Sequence, residues 1–96
     1  MYTWIIYDIS EDKVRDYVAK QCKRLGLLRV QKSVFLGIAS RTKLKAFERD
    51  IQGKINYHTD KLFIVPITKT RFKKVIQLGK KFDPKIIDNS DQVLFF

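Results

Sequence analysis

One cysteine, Cys22, is present in the chain, which excludes an internal disulfide and a cysteine-built metal site; at its helical spacing it reads as a small core residue. One histidine, His58, stands between Tyr57 and Thr59 in a polar segment and reads as a turn residue. No histidine neighbours the cysteine to form a nucleophile and base pair. No apolar run approaches the roughly 18 residues that cross a bilayer, so a membrane span is excluded. The first residues lack a basic run, and Asp8, Glu11 and Asp12 follow closely behind the apolar part, the wrong charge order for a secretory signal. A cytoplasmic location is expected. There is no low-complexity segment, no Gly-rich phosphate loop, and no zinc-finger or helix-turn-helix spacing.

Acid is scarce as well. Ten Asp and Glu stand against twenty Lys and Arg, a net charge of +10 in 96 residues. Such a field draws polyanions, so nucleic acid is the expected partner, gripped by its backbone rather than by base edges. The plausible phosphate contacts are Arg15, Lys20, Arg24, Arg29, Lys32, Arg41, Lys43 and Lys45. Binding of that kind is insensitive to sequence and steeply dependent on salt.

What the chain has in abundance is β-branched and aromatic residues at its start. Tyr2, Trp4, Ile5, Ile6, Tyr7 and Ile9 read as one strand. Alternation puts Tyr2, Trp4, Ile6 and Asp8 on one face and Thr3, Ile5, Tyr7 and Ile9 on the other, so both faces require cover. Val14, Tyr17, Val18, Cys22 and Leu25 recur at helical spacing, with Ser10 or Asp12 as cap candidates and Gly26 as the stop. Residues 27–39 return to strand chemistry, but Lys32 falls on the face of Val30 and Val34, which predicts a bulge or bend near Gln31 to Ser33 and one kinked strand or two short ones. Gly37 admits a second backbone at close range.

Ser40 or Thr42 opens a second helix striped by Leu44, Phe47, Ile51 and Ile55. After a turn over 56–60, Leu62 to Ile67 is apolar on both faces, which predicts a central or doubly covered strand, with Pro66 near its end or on an edge. A short turn of helix is expected within the basic stretch 69–85. The apolar tail at 92–96 is strand-like and is expected to dock on a partner subunit. The order gives an α+β, ferredoxin-like β-α-β-β-α-β sandwich in a single domain, 1–96, with an extra C-terminal strand. Its two helices cover one sheet face. The other, lined in part by Trp4 and Ile6, calls for a face-to-face homodimer.

Asp8 is the only acid inside an apolar strand. Two roles stay open for it from the residues alone. It accepts hydrogen bonds from the loop or caps the first helix, or it is one of a pair of carboxylates, contributed by two subunits, that hold a hard divalent ion for phosphodiester cleavage.

Tyr7-Asp8-Ile9 closing the first strand, Arg29 to Phe35 after a helix ending in Gly26, Leu78-Gly79 and the terminal Val93-Leu94-Phe95-Phe96 resemble the CRISPR-associated protein two family. The resemblance runs over nearly the whole chain. It implies a ferredoxin-like homodimer in which the C-terminal strand joins the other subunit's sheet. It also implies that Asp8 of each subunit faces its twin across a cleft in a Mg²⁺-dependent nuclease acting on RNA or DNA. Further, it implies a scaffold for spacer acquisition that bridges two dimers of the CRISPR integrase and holds protospacer duplex on its basic surface. Leu36 stands where an acid often follows the Phe in that family. A toxin-like ribonuclease of the same fold is the remaining reading.

Overall fold

A computed structural model describes residues 1–80. In chain order the elements are β1 (Tyr2–Asp8), α1 (Asp12–Arg24), β2 (Leu28–Gln31), β3 (Val34–Ile38), α2 (Arg41–Gln52), β4 (Lys61–Ile67) and α3 (Lys69–Phe72). Among the described residues they form one antiparallel sheet in the order β2-β3-β1-β4. This is the split βαβ arrangement of a ferredoxin-like fold. No helix among the described residues is long and apolar enough to cross a membrane.

β1 lies inside the sheet, between β3 and β4, and is apolar on both faces along most of its length. Ile5, Tyr7 and Ile9 point to the helices and enter one core with Val18, Cys22, Phe35, Phe47 and Ile51. Tyr2 and Trp4 point the other way, into a smaller cluster with Leu36 and Phe72. The alternation expected from the sequence is therefore present. The bare second face is partly corrected: α3 swings Phe72 beneath the sheet, fully buried, with its ring centroid 4.6 Å from that of Tyr2. The stretch beyond it stays open, and Ile6, Phe63 and Val65 are exposed there.

The bend expected near Lys32 is a hairpin between β2 and β3, with a register shift between Arg29 and Gln31 that sends Lys32 into the turn. At Gly37 an added Cβ would meet the Cα of Leu27 at 3.3 Å, the close backbone approach foreseen for it. Gly26, at φ 86°, takes the left-handed conformation that ends α1. Ser40 caps α2 by accepting from the amide of Lys43.

Two expectations are overturned. β4 is not a central strand: among the described residues it lies at the sheet edge, with Leu62 and Ile64 packed on the helix-side core and Phe63 57% exposed. The edge is also where Pro66, which has no amide to donate, is tolerated. Neither Ser10 nor Asp12 caps α1. The cap residue is Glu11, whose side chain makes no capping bond, and the amide of Ser10 donates to Asp60 instead. The tail at 92–96 and its docking on a second copy lie outside the described residues.

Candidate active site at the exit of the first strand

Asp8 is the last residue of β1, exposed, on the open face of the sheet. Its carboxylate makes no hydrogen bond or ion pair among the described residues. The structural work open to an acid at this exit belongs to Asp60, a residue that the sequence pattern did not single out. One Asp60 oxygen accepts from the Ser10 amide at 3.0 Å and from the Thr59 hydroxyl at 3.1 Å; the other accepts from the Asn56 amide at 2.8 Å. These bonds, the Asn56 amide foremost and the Ser10 amide next, hold the Asp60 carboxyl below the usual aspartate range. The signal for this role was an acid closing a polar turn, but its partner Ser10 lies 50 residues away.

Tyr7 and Ile9, the neighbours of Asp8, face the other way. Tyr7 is buried with its ring 6.3 Å from Phe35, and burial foremost pushes its phenol pKa up. The tyrosine of this strand exit is thus core, and the aspartate alone meets solvent. Across the ladder from Asp8 stands Lys61, also exposed, a second residue the sequence did not single out. His58 sits in the turn expected for it, exposed, its amide donating to Asn56 Oδ1 at 2.9 Å. Cys22 is fully buried, and burial raises its thiol pKa to about 12. No three metal-ligating side chains cluster among the described residues, so one chain offers Asp8 as a lone carboxylate.

The eight expected cations separate into two groups. Arg15 and Arg29 hold the chain to itself. Arg15 bonds the carbonyl of Ile9 at 3.1 Å and the carboxylate of Asp12. Arg29 bonds the carbonyl of Lys32 at 3.0 and 2.7 Å while lying over the Phe35 ring. The side chains of Lys20, Arg24, Lys32, Arg41, Lys43 and Lys45 are exposed and make no hydrogen bond or ion pair among the described residues. Arg24 and Lys43 meet on the rim of a groove of about 330 Å³ between α1 and α2. Arg41 and Lys45 line a second hollow between α2 and the β4 edge.

The fold and this strand exit define a small, strongly basic, ferredoxin-like protein with one unengaged carboxylate, among the described residues, on its open sheet face. Residues 1–75 match the family model described as CRISPR associated protein Cas2, and the chain belongs to that family. It is 32% identical over 76 residues to a protein of Korarchaeum cryptofilum named CRISPR-associated endoribonuclease Cas2, covering 79% of this chain and 82% of that one. It is 34% identical over 88 residues to CRISPR-associated endoribonuclease Cas2 1 of Francisella tularensis subsp. novicida, covering 92% and 88%. The crystal structure of Streptococcus pyogenes Cas2 at pH 6.5 superposes with a TM-score of 0.71 at 26% identity, over 82% of this chain and 100% of that one. A hypothetical protein from Thermus thermophilus superposes at 0.63 with 30% identity, over 70% and 80%.

Proposed function

We propose that the chain is a CRISPR adaptation protein that works in the cytoplasm as a homodimer, with Asp8 of its two subunits forming a divalent-metal centre that cleaves phosphodiester bonds in RNA or DNA. The observation that carries this reading is the state of Asp8: a carboxylate rigidly rooted at the end of the central strand, exposed, with its potential loop-tying task already performed by Asp60. The endoribonuclease names of the Korarchaeum and Francisella relatives support it.

The donor set fits Mg²⁺ only when a second copy contributes. Mg²⁺ is commonly held by one or two carboxylates together with waters and substrate phosphate, so two Asp8 side chains suffice where three ligands from one chain are lacking. A bound ion would supply charge neutralisation at the phosphate and a water of lowered pKa. The protein's part is to fix the carboxylates: β4 pairs with β1 out to Asp8 itself, while β3 pairs as far as Ile6 and the Tyr7 amide donates to the Ser33 carbonyl at 3.1 Å just before Asp8. Cleavage of single-stranded RNA and duplex DNA with Mg²⁺ is expected for the wild-type chain and is lost in Asp8→Ala. Cleavage that survives the substitution ends this reading.

A second reading is favoured by the six unengaged basic side chains: a non-catalytic scaffold that holds protospacer duplex and bridges dimers of the CRISPR integrase. Duplex affinity then falls steeply with salt and survives Asp8→Ala, and the protein co-purifies with the integrase. Salt-independent binding counts against it.

A further inference from the structure

The register of the sheet sets one cation beside Asp8. β1 and β4 run antiparallel with Asp8 opposite Lys61, and the same ladder pairs Ile6 with Phe63 and Trp4 with Val65. Side chains alternate across a strand, so Lys61 leaves the sheet on the open face, from which Asp8 also leaves. Residues directly opposed in an antiparallel pair hold their Cβ atoms roughly 4.5–5.5 Å apart. Both side chains are exposed, yet no ion pair joins them or engages either with another described residue. The ammonium is therefore available to a third group.

A phosphodiester approaching a carboxylate is repelled by it, and without a bound ion a centre built from two copies of Asp8 doubles that repulsion. A cation on a flexible four-carbon stem, rooted directly across the ladder, reaches the same volume from the side and offsets it. The geometry points to Lys61 as the phosphate-holding residue of the Asp8 centre, gripping a non-bridging oxygen of the RNA or DNA backbone. This inference rests on the reading of Asp8 as the chemical carboxylate. The competing role for Lys61 is the common one of a lysine on an edge strand, to discourage strand addition; that role needs the charge but no phosphate.

The test compares wild type, Lys61→Gln and Lys61→Arg for binding to one single-stranded RNA in EDTA over a range of KCl, alongside Mg²⁺-dependent cleavage by these proteins and by Asp8→Asn. Circular dichroism checks that each is folded. Lys61→Gln is expected to flatten the log–log salt slope by about 0.7 for each phosphate that it no longer neutralises. It is also expected to raise KM several-fold with kcat little changed, while Lys61→Arg keeps the slope. An unchanged slope in folded Lys61→Gln overturns the inference, and an inactive Asp8→Asn in the same series shows that the Asp8 reading survives it. If Asp8→Asn still cleaves, the Asp8 reading falls and the inference falls with it, a flattened slope in Lys61→Gln then showing a phosphate contact that belongs to no Asp8 centre.

Discussion

The two faces of β1 have been brought to different degrees of completion. On the helix side, Ile5, Tyr7 and Ile9 are buried by α1, α2 and β3 side chains, with Phe35 and Cys22 fully enclosed. On the other side, Phe72 closes one end over Tyr2 and Leu36 and the segment 75–80 only borders a hollow with Trp4 and Ile6, so Ile6, Phe63 and Val65 remain exposed. Asp8 lies at the uncovered end of that face. Stability is thus concentrated on one side of the sheet, and the groups available to a ligand or a second copy are concentrated on the other.

The largest test of that contrast sets Phe35→Ala against Phe63→Ala. Phe35 is fully buried, so truncation is expected to cost about 3–5 kcal/mol, through reduced burial and the cavity left behind. Phe63 is 57% exposed and sits on the edge strand; in dilute solution its truncation is expected to stay within roughly 0.5 kcal/mol. Urea unfolding measures both. If the cost of Phe63→Ala grows with protein concentration, a second copy covers the open face; equal costs at every concentration would remove the contrast.

Gly37→Ala probes the finished side at a finer scale. The new methyl would stand 3.2 Å from the Leu27 side chain and 3.3 Å from its Cα, and backbone cannot yield cheaply, so a loss of about 1–3 kcal/mol is expected from the midpoint of urea unfolding. This close approach was legible in the sequence, because a glycine inside a β-branched and aromatic run has few other reasons to be there. The helix stripes, the Gly26 stop, the Lys32 bend and the two faces of β1 were legible for the same reason: each depends on residues near one another in the chain. What was not legible depended on pairing at a distance. Leu62 to Ile67 is apolar on both faces, yet it takes the edge, since strand order is set by tertiary packing rather than by composition. The cap position of α1 falls to Glu11 rather than Ser10 or Asp12, and the Ser10 amide donates to an acid 50 residues away. Asp8 was found as a candidate from its place in the run, whereas Asp60 and Lys61 could be recognised only once the ladder between β1 and β4 was known.

The smallest effect is expected at the two acids of the strand exit, which repeat the contrast between the faces in miniature. Asp60 accepts from two amides and a hydroxyl, and those bonds depress its folded-state pKa. An aspartate in the unfolded chain titrates near pH 3.9, so as the pH falls the unfolded state takes up the proton first. The contribution of Asp60 to stability is therefore present above about pH 4 and is lost as the pH drops through the folded-state value. Asp60→Asn, which cannot accept with charge at both oxygens, should lower stability at neutral pH and flatten its acid limb when urea midpoints are followed downward from pH 7. Asp8→Asn removes a carboxylate that ties nothing among the described residues, so its neutral-pH stability should match the wild type within roughly 0.5 kcal/mol. The reverse ranking, with Asp8 carrying stability and Asp60 carrying none, would mean that the acid at the end of β1 serves the fold, and the proposed metal centre would lose its carboxylate.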